Sequence, residues 1–121
     1  MNPTITREQC QQLFESLYND LLNIGVPLLE DTDRTLRFKK VAYYNGYTEW
    51  RLYNNGDKTD CVVTLSTYLL YAPIDEIKSV ICHELRHCTD SSGHDKKWKY
   101  YTKMVREKLG IEINQNYPPI L

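Results

Sequence analysis

The chain has no apolar run near the ~20 residues that a membrane-spanning helix needs. Its first residues, Met-Asn-Pro-Thr, lack the basic and apolar regions of a signal peptide. Net charge is almost absent: 15 Lys and Arg against 16 Asp and Glu leave −1. No global field then draws the protein to nucleic acid or to a membrane surface. Internal repeats, linkers and low-complexity tracts are also missing. Cysteine is limited to four positions, Cys10, Cys61, Cys82 and Cys88, with no Cys-x-x-Cys pair to suggest a zinc ribbon or redox site. Cys82 and Cys88 stand six apart on one expected helix, too far for a disulfide. The cysteines therefore read as reduced, buried thiols, which fits a reducing compartment. A soluble, cytoplasmic protein is expected.

What is present is ordinary for a globular chain: 41% hydrophobic and 26% charged residues. The 121 residues suit one compact domain with a real core, spanning 1–121. Ten Tyr supply apolar area with a hydrogen-bonding tip, and most are expected to pack the core.

The spacing of apolar residues predicts a helix over residues 6–24. Thr6 and Gln9 form a capping box at its start. Cys10, Leu13, Phe14, Leu17, Leu21 and Ile24 make its apolar face, and Gly25 and Pro27 end it. Three strands follow, over residues 35–44, 47–53 and 61–66. Asn45-Gly46 is a hairpin signal, because both residues tolerate positive φ. The expectation is a small antiparallel three-stranded sheet, a meander. A second helix is expected over 74–89 and a third over 94–109, stopped by Gly110. Residues 111–121, with Pro118-Pro119, read as irregular. The fold class is α+β.

Histidine is scarce. All three histidines fall within residues 83–94. Residues 83–87 read His-Glu-Leu-Arg-His, an instance of H-E-x-x-H. Residues four apart on a helix lie on nearly one face, so His83 and His87 can bind one metal ion. Glu84 points about 100° away, beside the metal, where it can deprotonate a coordinated water. Ile74, Ile77, Val80, Ile81, Leu85 and Cys88 form the apolar stripe of this helix, with Lys78, Ser79 and Arg86 opposite. His83 and His87 sit at the flank of the stripe, which suits a cleft.

A catalytic zinc takes three protein ligands and keeps an open position. His94 is the best third ligand. It shares a helix face with Trp98, Tyr101 and Val105, which should pack on the core and turn His94 toward the other two. Asp90 and Asp95 are competing oxygen ligands.

Cys82-His-Glu-Leu-Arg-His87, then Ser92-Gly-His94, then Trp98-Lys99, resembles the SprT-like zinc metallopeptidases. Val63-Thr-Leu-Ser66 and Tyr68-Leu-Leu70 resemble the strand and lead-in segment that precede the metal helix in that family. The resemblance covers roughly residues 6–110, and its specific part is residues 79–99. It implies one Zn2+ ion held by His83, His87 and His94 in a zincin-type site, with Glu84 as catalytic base. It also implies a peptide substrate along an exposed strand, and protein substrates associated with DNA. Asp95 stands where the family usually has Gly. Many relatives carry a C-terminal Cys-rich ribbon that this sequence lacks, which weakens the DNA expectation.

The chemistry of such a site needs a donor for the developing oxyanion. Tyr68, Tyr71, Tyr100 and Tyr101 are the candidates, each also a natural packing residue. Lys96, Lys97, Lys99 and Lys103 form a basic stretch interleaved with aromatics, a pattern that can bind single-stranded nucleic acid or simply face solvent. The leading expectation is a zinc metalloendopeptidase. The alternatives are a non-catalytic, zinc-stabilised binding module and a metal hydrolase acting on a non-peptide bond.

Overall fold

Thr6 opens the first helix by the expected capping box. In the computed structural model, which describes residues 2–26, 28, 33–40, 46–52, 58–86 and 96–113, the Gln9 backbone N–H donates to Thr6 Oγ1 at 3.1 Å. The Thr6 N–H donates to Gln9 Oε1 at 2.9 Å. The reciprocal pair satisfies backbone donors that a helix start leaves without partners. Helix α1 spans Arg7–Asn23 and buries Cys10, Phe14, Leu17, Tyr18 and Leu21. Gly25 follows at φ 99°, a conformation in which an L side chain would be strained.

Three strands come next: β1 Asp33–Lys39, β2 Gly46–Leu52 and β3 Lys58–Ser66. The α+β class is as the sequence predicts, but the sheet is connected differently. Its order is β1-β3-β2. β1 runs parallel to β3, with Asp33 opposite Asp60 and Lys39 opposite Ser66. β2 runs antiparallel to β3, with Gly46 opposite Leu65. The expected antiparallel meander is thus corrected to a mixed sheet. The reason lies in β3. Every residue from Cys61 to Ser66 is buried, and a strand covered on both faces belongs at the centre of a sheet. Asn45-Gly46 marks the entry to β2, but a turn signal does not choose which strand becomes the neighbour.

After β3 the chain makes a 3-10 turn, Thr67–Tyr71, capped by Ser66 Oγ, which accepts the Tyr68 N–H at 3.2 Å. The Pro73 carbonyl accepts the N–H groups of Glu76 and Ile77 at 3.0 and 3.1 Å. It thereby starts helix α2, Ile74–Arg86. Ile77, Val80, Ile81 and Leu85 are buried as the stripe predicts, whereas Ile74 at the helix start is exposed. Ser79 was expected in solvent and is buried. Indeed Ser79 through Leu85 are buried without a break. The cause is packing on two sides, against α1 and against β2. Helix α3 spans Lys96–Leu109, buries Val105, and ends at Gly110 with φ 69°.

Cys10 and Cys82 are buried free thiols, as expected. Cys61 is not: it is disulfide-bonded. Spacing along the chain gives no view of pairs that folding brings together. No helix among the described residues is long and apolar enough to cross a membrane.

Candidate active site

Helix α2 carries His83 and Glu84 in its last turn and a half, inside the continuous buried stretch. His83 retains 7% of its exposure and Glu84 4%. The His83 Nε2 lies 3.9 Å from Glu84 Oε1. That is beyond hydrogen-bond reach, so the imidazole and carboxylate are neighbours rather than a bonded pair. A nitrogen donor and a carboxylate oxygen therefore share one desolvated margin of the helix.

The other carboxylate oxygen meets the sheet. Thr48, on β2, places its Oγ1 3.1 Å from Glu84 Oε2 and 3.0 Å from the Glu84 backbone carbonyl oxygen. Burial pushes the Glu84 carboxyl up from its ordinary 4.5 to about 7, and the Thr48 hydrogen bond works against that rise. Desolvation wins because a carboxylate taken from water loses more than one neutral donor returns. In the metal-free chain the carboxyl therefore holds its proton to higher pH than an exposed glutamate does.

His87 and His94 lie outside the described residues, as do Asp90 and Asp95. Among the described residues no group of three or more His, Cys, Asp or Glu is gathered as a metal site. His83 is the one expected ligand whose place is seen. An imidazole is a ligand type that zinc accepts, and that of His83 is buried beside a carboxylate.

The candidate tyrosines are spread over two elements. Tyr68 and Tyr71 sit exposed on the 3-10 turn, with Lys40 Nζ 6.0 Å from the Tyr68 ring centre. Tyr100 is exposed on α3, and Tyr101 packs edge-on against it at 5.5 Å. A hydroxyl that reaches Glu84 is that of Thr48. Sequence reasoning missed it, because 36 residues separate the two and neither helical nor strand periodicity links them. Of the basic stretch, Lys99 and Lys103 are exposed on α3, and Lys103 Nζ lies 3.9 Å from Glu107 Oε1. The side chains of Lys96 and Lys97 lie outside the description.

With this geometry in view, comparison with known proteins is informative. The model of the SprT-like family matches residues 8–117. The chain belongs to the SprT-like family. A similar solved structure is the metallopeptidase zymogen abylysin of Pyrococcus abyssi. It matches with a TM-score of 0.50 at 18% identity, over 87% of this chain and 99% of that one. At that identity the likeness speaks to the fold. No curated protein matches the sequence. For this SprT-like protein, the matched span includes α2 and both histidines that fall outside the described residues.

Proposed function

We propose that this SprT-like protein is a zinc-dependent metallopeptidase that hydrolyses peptide bonds in protein substrates. The observation that carries the reading is Glu84: a buried carboxyl set beside His83 in an H-E-x-x-H sequence on a covered helix, with Thr48 of β2 against it. Family membership and the metallopeptidase named in the abylysin structure support the same chemistry. His83, His87 and His94 would hold the ion, and Glu84 would act as base.

Zinc, when bound, supplies Lewis acidity that acidifies water and polarises a scissile carbonyl. The protein's own part is proton transfer and orientation. Glu84 Oε1, the oxygen that faces His83, accepts the proton of the attacking water and returns it to the leaving amine. Burial keeps bulk water from competing for the carboxylate. A peptide substrate would lie along β2. Among the described residues β2 pairs only with β3, and an extended chain added beside it would bond through backbone donors and acceptors. Thr48 places that strand directly against Glu84. Proteins bound to DNA are the substrate class the family resemblance adds, with Lys99 and Lys103 as the described residues that would meet phosphate.

The experiment is Glu84→Gln in zinc-loaded protein, assayed on casein. The variant keeps the metal and loses hydrolysis by at least about a hundredfold, the lower range of a lost general base. Cleavage at the wild-type rate would remove Glu84 from the mechanism. Zinc retained by a wild-type protein that cleaves neither casein nor a broad peptide library would favour a binding module.

A further inference from the structure

A hydroxyl on the sheet reaches the proposed base. Thr48 Oγ1 is within hydrogen-bond distance of two atoms of the same residue, Glu84 Oε2 and the Glu84 carbonyl oxygen. A threonine hydroxyl has one proton, so it donates to one of them or is shared between both. Contact with the carboxylate alone would let the side chain swing with its partner. Contact with the main chain as well fixes the carboxylate relative to the helix axis. Threonine suits the task because its branched Cβ restricts χ1, and a strand holds its backbone.

The two carboxylate oxygens are therefore unequal. Oε2 is tied to β2, and Oε1 is turned toward His83 Nε2 at 3.9 Å. We propose that Thr48 is a positioning residue for Glu84: it holds Oε2 so that Oε1 stays aimed at the His83 imidazole. This rests on the reading of Glu84 as the base. The tie also joins substrate binding to catalysis. A peptide added to the edge of β2 would be anchored on the strand that orients the base, so strand position sets carboxylate position.

Thr48→Val keeps the shape and the branching but removes the donor, and Thr48→Ser restores it. With zinc-loaded protein and casein, Thr48→Val lowers kcat about ten- to hundredfold, as misplacement of a reacting group by about 1 Å does. KM stays within about twofold, because substrate contacts are untouched. Thr48→Ser recovers most of the loss, and zinc content is unchanged in both. A residue that merely braces the fold would instead lower the folded fraction and zinc content, with kcat per zinc-loaded molecule unchanged.

Glu84→Gln is assayed beside them. An inactive Glu84→Gln with a fully active Thr48→Val refutes the positioning role and leaves the base intact. An active Glu84→Gln overturns the base reading itself. A second measurement needs neither metal nor substrate. In EDTA, unfolding constants of wild type, Thr48→Val, Glu84→Ala and the double variant form a cycle. Thr48→Ala replaces Val in it if the valine variant does not fold. The two substitutions are non-additive by about fivefold, the size of one hydrogen bond. Additive effects overturn the contact.

Discussion

Glu84→Gln in metal-free protein stabilises the fold at neutral pH and leaves it unchanged in acid. Glu84 is 4% exposed, and burial raises its pKa from 4.5 to about 7. Between those values the unfolded chain releases the proton while the folded chain holds it. Stability from this group is fully present below pH 4.5 and is lost as pH rises through about 7. At 1.36 kcal/mol per pKa unit, the loss amounts to about 3 kcal/mol at pH 8. Glutamine has nearly the same shape and accepts the same Thr48 hydrogen bond, but it has no proton to lose. Urea unfolding in EDTA at pH 4, 6 and 8 measures the difference between the two proteins. The curves should coincide at pH 4 and separate by about 3 kcal/mol at pH 8, with glutamine the more stable. A divalent cation beside the carboxylate favours its ionised form, so added zinc should narrow the gap. A gap that is the same at all three pH values would refute the claim that Glu84 is a desolvated carboxyl.

Two predictions concern the cysteines. Burial pushes the thiols of Cys10 and Cys82 up to about 11 and about 12, so both should resist maleimide in native protein and react once it is unfolded in urea; rapid native labelling of either would contradict their burial. Cys61 is disulfide-bonded while Cys10 and Cys82 are free, so Cys61 should escape alkylation in urea without reductant and react once reductant is added; a free Cys61 thiol without reductant would count against it.

The sequence made the helices legible because their signals are local. Thr6 and Gln9 lie three residues apart, and the box they form is the one observed. Gly25 and Gly110 mark the ends of α1 and α3 because each takes a positive φ. That His83 and Glu84 stand on a helix was legible for the same reason, from the apolar spacing of α2. The features that escaped are non-local. Strand order depends on β3 being covered on both faces, and the run Cys61-Val-Val-Thr-Leu held that hint, yet the Asn45-Gly46 turn outweighed it. Ser79 looked like a solvent residue because one amphipathic face was assumed, while α2 packs against both α1 and β2. Thr48 could not be found at all, since only the fold brings β2 to the end of α2. The Cys61 disulfide escaped on the same ground.

Zinc content tests the central claim most directly. Protein purified and dialysed against metal-free buffer is measured by inductively coupled plasma mass spectrometry, as wild type and as His83→Ala. The account predicts about one zinc per wild-type chain and near-complete loss in the variant, because a three-ligand site does not retain the ion on two. Full zinc occupancy in His83→Ala, or a wild-type protein that binds none when zinc is supplied, would contradict it.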